Sequence, residues 1–125
     1  NLQKALADAD IVFLAVPGSS ETRHLIDRKE FLSMQNHSIL VNISRGDVIA
    51  ESALIKALQQ GEIGGAGLDV YEFEPEIPNA LIQMENVTLF PHLGTASVEV
   101  RTEMGYMALD NIEQFMMGEK PNNIV

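Results

Sequence analysis

Apolar positions along this chain fall into two alternating rhythms. Four short runs are continuously apolar and rich in β-branched residues: Asp10–Val16, Ser38–Ile43, Gly65–Val70 and Asn86–Phe90. They recur about every 20 to 30 residues, the span of one strand–helix unit. Continuous rather than alternating apolarity predicts strands covered on both faces. Between the runs the period lengthens to that of a helix. Leu2, Ala5, Leu6 and Ala9 share one face of residues 1–9, and Asp27–Met34 reads as a short turn or helix. Ala53, Leu54, Ala57 and Leu58 form one stripe within residues 50–65, where Gly61 is a natural stop. A last helix is predicted from about Ser97 to Met117, with Met104, Met107, Ala108, Ile112, Phe115 and Met116 on its apolar face. Ser97 or Thr95 can cap it, Glu99 suits the positive end of its dipole, and Gly118 ends it. The tail after it has no period and reads as loop.

Strand–helix alternation predicts an α/β fold: a parallel sheet with right-handed crossovers and helices on both faces. Ligands of such sheets bind at the carboxyl ends of the strands. The segments following the four runs are PGSSETRH, SRGD, YEFEPE and PHLGTAS. Pro17, Arg45, Glu72, Glu74 and His92 are therefore expected to crowd one rim, with Asp69 at the end of its own strand.

Composition narrows the partners. The 125 residues suit one domain, and 46% apolar with 21% charged residues is ordinary for a globular one. Cysteine is absent, which removes disulfides and thiolate chemistry and fits a reducing, cytoplasmic setting. A formal net charge of −10 disfavours nucleic acid and anionic membrane surfaces. The longest unbroken apolar run, Ile11–Val16, is far too short to span a bilayer, and no signal peptide is visible. The chain begins with Asn1, so it is expected to be processed or a piece of something longer.

Each candidate residue carries two readings. Arg45 offers a fork for carboxylates, or pairs on the surface with Asp47 or Glu51. Gly46 beside it would let a ligand approach the backbone. His92 can act as a general acid or base, or simply bond the loop before the last helix. His24 and His37 follow no strand and read as surface. Glu72, Glu74 and Glu76 form either a solvated acidic loop or a supply of one partner for His92, and spacing does not choose among them. Asp69 needs a donor, since an unpaired carboxylate at a buried strand end is costly. GSSET (residues 18–22) reads as a plain turn rather than a phosphate loop, because it lacks the lysine. The methionines read as packing. No histidine pair has metal-ligand spacing, and no GxSxG elbow is present.

VNISRGDVI, GAGLDVYEFEP and PHLGTAS, in this order, resemble the D-isomer-specific 2-hydroxyacid dehydrogenases, most of all their glyoxylate and hydroxypyruvate reductase branch. ADIVFLAVPGSSETRHLI and GEKPNNIV look like the same family's flanking segments, so the resemblance covers essentially the whole chain. It implies that Arg45 binds the carboxylate and carbonyl of a 2-oxo acid. It implies that His92 exchanges a proton with the carbonyl oxygen and that Glu74 is its carboxylate partner. Asp69 would accept a hydrogen bond from the nicotinamide carboxamide of NAD or NADP, and Val16, Pro17, Ile43, Ser44 and Gly94 would line the cofactor. Co-repressor relatives of the family keep a similar triad as dinucleotide-sensing binding modules, and an inert truncated piece is a third possibility. Formate dehydrogenases, a sister branch, carry glutamine where this chain has Glu74.

The family's GxGxxG loop is missing; GEIGGAGLD precedes a strand and is not that fingerprint. The implied fold is thus a partial doubly wound, Rossmann-like parallel sheet with flanking helices and a long C-terminal helix. Residues 1–96 would be the second half of a dinucleotide-binding domain. Residues 97–125 would be a helix and tail leading back to a substrate domain absent from this chain. The strand Asp10–Val16 would then be an exposed apolar edge, which invites homodimerisation or aggregation.

Overall fold

A computed structural model describes residues 2–124 and divides the chain into two compact units, one ending at Pro91 and one beginning at His92. The first unit holds a parallel sheet of four strands in the order β1 (Ile11–Leu14), β2 (Ile39–Asn42), β3 (Gly65–Leu68), β4 (Val87–Leu89). Its helices are α1 (Leu2–Ala7), α2 (Arg28–Phe31), α3 (Glu51–Gln59) and α4 (Asn79–Ile82). All four apolar runs became strands, each shorter than its run. The residues trimmed from the carboxyl ends, such as Val16, Ile43, Asp69 and Phe90, lie just beyond the ladder. Helix α4 and a single 3-10 turn over Gly46–Val48 were not foreseen, being too short to show a period.

Register explains which strand positions are buried. Val12 pairs with Leu40, Leu14 with Asn42, Leu40 with Ala66 and Asn42 with Leu68. Paired residues share a face, and this one meets Leu6, Phe31, Leu54 and Leu58 of α1, α2 and α3 in one core cluster. Ile11 and Phe13 point the other way and stay 64% and 61% exposed, with Ile39 beside them also exposed. The expectation of strands covered on both faces, with helices on each, is thus corrected: α1 to α3 share the core of one face, and β1 is a sheet edge. Helix α2 is short but well terminated. The Asp27 side chain accepts from Arg28 N, Glu30 reaches back to Asp27 N, and Arg28 pairs with Glu62 beyond the end of α3. Gly61 supplies the left-handed residue after α3, at φ +66°.

The second unit is dominated by α5 (Val98–Met116). Ser97 caps it, its hydroxyl accepting the Val100 N–H at 3.2 Å. Glu99 accepts hydrogen bonds at this N-terminus, from its own backbone first and then from Ser97, which lowers its pKa. The tail is a turn tied to the helix: Asn123 N donates to Asn111 Oδ1 at 3.1 Å and Asn122 N to Gln114 Oε1 at 3.0 Å. No residue of α5 is buried, and Met104, Met107 and Met116 are exposed, as is Met117 just beyond the helix. The reading of methionines as packing therefore holds for Met34, in the core, and Met84, packed against it.

This burial pattern gives a direct test. Leu40→Ala, at the centre of the sheet, should cost about 2–5 kcal/mol in urea denaturation. Phe13→Lys, on the open face of the edge strand, should change the stability of the monomer by no more than about 0.5 kcal/mol. Equal losses for the two would contradict the placement of β1.

Candidate functional site

The carboxyl end of β1 continues through Ala15 and Val16 into Pro17 and Gly18. A turn follows in which Thr22 Oγ1 donates to the Pro17 carbonyl at 2.8 Å while accepting from Ser19 N at 2.9 Å. The N–H groups of Glu21 and Thr22 bond to Ser19 in the same turn. Residues 18–22 thus form a turn that bonds the N–H groups of Ser19, Glu21 and Thr22 within itself.

The end of β2 is organised by a residue that the sequence reading passed over. Asn42 is fully buried at the last strand position. Its Oδ1 accepts Ser44 N at 3.0 Å and Ser44 Oγ at 2.8 Å, and its Nδ2 donates to the Arg45 carbonyl at 2.9 Å. One amide side chain therefore shapes the turn that puts Arg45 on the surface. Arg45 Nη1 donates to the Ser44 carbonyl at 2.7 Å, and the stem lies over Gly18, where a Cβ would come within 2.8 Å of Arg45 Cγ. Val16, Pro17, Gly18, Ile43, Ser44 and Arg45 line an open cleft of about 550 Å³.

Gly46 was expected to admit a ligand to the backbone. Instead, the space a side chain would need is filled by protein: a Cβ there would lie 1.9 Å from the Tyr71 carbonyl. The close approach is between two loops of the chain.

Beyond β3, Asp69 is half-buried and its N–H donates to the Asn42 carbonyl at 3.0 Å. Tyr71 is buried; its hydroxyl donates to the Phe90 carbonyl at 2.8 Å, and burial pushes the phenol above its ordinary pKa. Glu74 Oε1 accepts the Tyr71 N–H at 2.9 Å, just before a cis peptide to Pro75. Glu72 turns inward and meets His24 Nε2 at 2.7 Å. His24 is therefore tied to the fold by a partner, although its side chain keeps 35% exposure. It is half-buried at φ +51°, and its N–H is taken by the Asp47 carbonyl at 2.7 Å. His37 is exposed and pairs with Asp10 at 2.8 Å. Among the described residues no cluster of His, Cys, Asp or Glu is disposed to hold a metal ion.

Of the predicted site residues, Val16, Pro17, Ile43, Ser44 and Arg45 share the cleft, and Asp69 and Glu74 follow the neighbouring strand. His92 and Gly94 belong to the second unit, where both are exposed and His92 stands at φ +56°. Such a backbone state is uncommon away from glycine and often marks a functional position. Asn42 was missed, because a lone polar residue in an apolar run carries no pattern, and Tyr71 because it falls just beyond one.

A parallel sheet whose strand ends border a cleft edged by an arginine is the arrangement in which α/β proteins bind ligands. Residues 1–94 match the model of the D-isomer specific 2-hydroxyacid dehydrogenase NAD binding domain, and the chain belongs to that family. It is 46% identical to a glyoxylate reductase of Korarchaeum cryptofilum, over 99% of this chain and 38% of the relative. It is 44% identical to glyoxylate/hydroxypyruvate reductase B of an Enterobacter species, over 99% of this chain and 39% of the relative. Among solved structures it resembles the NADPH-dependent glyoxylate/hydroxypyruvate reductase of Sinorhizobium meliloti in complex with NADP and malonate. There the TM-score is 0.90 at 36% identity, covering 92% of this chain and 36% of that one. The chain thus spans less than two fifths of the length of these relatives. Among the described residues no helix is long and apolar enough to cross a membrane.

Electrostatics at the inner edge of the site are testable. Burial pushes the Glu51 carboxyl above the usual glutamate range; the Glu72 N–H pulls it partly back, and the Glu72 charge adds to the rise. The folded state therefore holds this proton more tightly than the unfolded state, and the contribution to stability grows as pH falls through the raised value. From about pH 7 down towards about pH 4.5, the native chain should gain stability relative to Glu51→Gln. A gap that moves the other way in parallel melts would refute this sign.

Proposed function

We propose that this chain is the second half of the cofactor-binding domain of a D-2-hydroxyacid dehydrogenase that reduces a small 2-oxo acid, such as glyoxylate or hydroxypyruvate. In this reading residues 1–96 belong to that domain, and residues 97–125 lead towards a substrate domain. The observation that carries it is Arg45 at the edge of the cleft where β1 and β2 end. The cleft suits a nicotinamide group: its walls are apolar at Val16, Pro17 and Ile43, with Ser44 as the polar element, and about 550 Å³ admits a nicotinamide riboside. Likeness to named glyoxylate reductases favours the enzyme over a dinucleotide-sensing binding module.

Val16, Pro17, Ile43 and Ser44 would hold NADH or NADPH, which would supply the hydride to the carbonyl carbon. Arg45 holds the substrate carboxylate with its fork and draws charge towards the carbonyl oxygen. His92, assigned on the family resemblance, gives its proton to that oxygen as the hydride arrives, so the 2-oxo acid gains two electrons and two hydrogens. Glu74, assigned on the same ground, favours the protonated imidazole. Asp69 would accept from the carboxamide of the cofactor, and Gly94 is assigned to the cofactor on the same resemblance. The absence of cysteine suits a reducing, cytoplasmic setting.

The test follows oxidation of NADH and NADPH with glyoxylate and with hydroxypyruvate, alongside NMR of the amides of Val16, Ile43 and Ser44. Dinucleotide should shift these three amides. His92→Asn should cut turnover by about 10²–10⁴-fold while leaving the shifts in place. Undiminished turnover in the variant would remove His92 from the mechanism. Shifts without turnover in this chain would mean that Arg45, Glu74 and His92 need the phosphate-binding half of the domain to become a catalyst.

We also propose that the chain self-associates through β1, an apolar sheet edge. Sedimentation should show a dimer that Phe13→Lys weakens; a monodisperse native monomer would refute this.

A further inference from the structure

Two carboxylates in the first unit exchange backbone hydrogen bonds. Glu72 Oε2 accepts the Glu51 N–H at 3.1 Å, and Glu51 Oε2 accepts the Glu72 N–H at 3.3 Å. The other oxygen of Glu72 meets His24 Nε2 at 2.7 Å and the Arg23 guanidinium at 3.6 Å. Arg23 also reaches Asp47 at 4.0 Å. The Glu72 side chain is only 8% exposed, so these contacts are inward.

The reciprocal pair does a specific job for α3. That helix has Ala50 at its N-cap, which offers no side-chain acceptor. The Glu51 N–H at its first turn is one of the donors that helix geometry leaves without an internal partner. Glu72 supplies the missing acceptor from a different loop. Three segments then meet at one carboxylate: the turn after β1 through Arg23 and His24, the start of α3, and the loop after β3.

The loop that carries Arg45 is caught between them. Gly46 rests against the Tyr71–Glu72 peptide so closely that a Cβ would lie 1.9 Å from Tyr71 O and 2.5 Å from Glu72 N. The Glu72 N–H bonded by Glu51 belongs to that same peptide. Whatever fixes this peptide therefore fixes the backbone next to Arg45.

We infer that Glu72 is a positioning residue for Arg45: by tying the loop after β3 to α3 and to His24, it sets the place from which the guanidinium meets a substrate carboxylate. This inference rests on the proposed role of Arg45. It gives Glu72 a task distinct from that of Glu74, whose carboxylate accepts from Tyr71 N.

The test uses amide hydrogen exchange on the chain, native and with Glu72→Ala or Glu72→Gln. The alanine variant should speed exchange about tenfold at Glu51 and through residues 44–50, with the β3 amides unchanged. Glutamine keeps an acceptor for the Glu51 N–H and should restore most of the protection. If the alanine variant does not fold, Glu72→Asp keeps the charge but withdraws it by one methylene, and roughly threefold faster exchange is expected over the same residues. Unchanged exchange at residues 44–50 in a folded variant would overturn the inference, and so would a uniform loss across the sheet, the mark of a merely structural role. A second arm titrates oxamate, an unreactive 2-oxo acid mimic, against the Arg45 side-chain signal. Glu72→Ala should weaken binding about tenfold and Glu72→Gln should recover it. If the native chain shows no oxamate shift at Arg45, the dehydrogenase reading of that arginine fails, while the exchange arm still decides whether Glu72 fixes its loop.

Discussion

The contact of Gly46 with the Tyr71–Glu72 peptide is the constraint on which the rest of the site depends. Two backbone segments approach so closely that only hydrogen fits between them. Packing of this kind is all or none, because interiors have no spare volume into which a side chain could be eased. Strand order makes the approach possible: β2 and β3 are neighbours, so the loops leaving their carboxyl ends must run side by side. The polar groups around it follow from the same crowding. Asn42 turns the first loop by bonding both Ser44 and Arg45, and Glu72 anchors the second by bonding the start of α3. Each is buried, and a buried polar group is retained only where its partners are complete. Among the described residues no buried side-chain polar atom lacks one.

Electrostatic logic turns two of the acidic residues, Glu51 and Glu72, into the fold. A chain with a net charge of −10 must still present a positive group to bind an anion. Screening in physiological salt acts over about 8 Å, so the nearest charges decide the local potential. Glu72 faces His24 and Arg23, and Glu51 is buried against the Glu72 peptide, so both carboxylates point into the fold. Arg45 spends one of its donors on the Ser44 carbonyl. A guanidinium has five N–H donors, and one neutral bond leaves most of the fork for a carboxylate.

The fold was legible where pattern is strong. Four apolar runs became four parallel strands, and Leu54 and Leu58 face the core as their spacing required. What failed depended on partners that a pattern does not display. Ile11 and Phe13 belong to a run as apolar as that of β2, yet they lie on the sheet face that α1 to α3 do not cover, so they remain exposed, as does Ile39 beside them. The methionines of α5 satisfy helical spacing and are still exposed, because periodicity names a face without naming what covers it. His24 was read as surface because it follows no strand. Its partial burial comes from Glu72, 48 positions away, a separation to which local sequence is blind.

Site residues divide along the same line. Arg45 was found by its place after a strand, and its neighbourhood in the cleft followed from the strand order. Gly46 was noticed for a good reason and given the wrong occupant. A glycine signals that something approaches closely, but it does not say whether that is a ligand or another loop. Here the atom in question is the Tyr71 carbonyl. The distinction matters for substitutions. A glycine kept open for a ligand would tolerate a methyl group until the ligand arrives. This one rejects it in the free chain, since Tyr71 and Glu72 are held by Glu74, Phe90 and Glu51 and cannot yield without giving up those bonds.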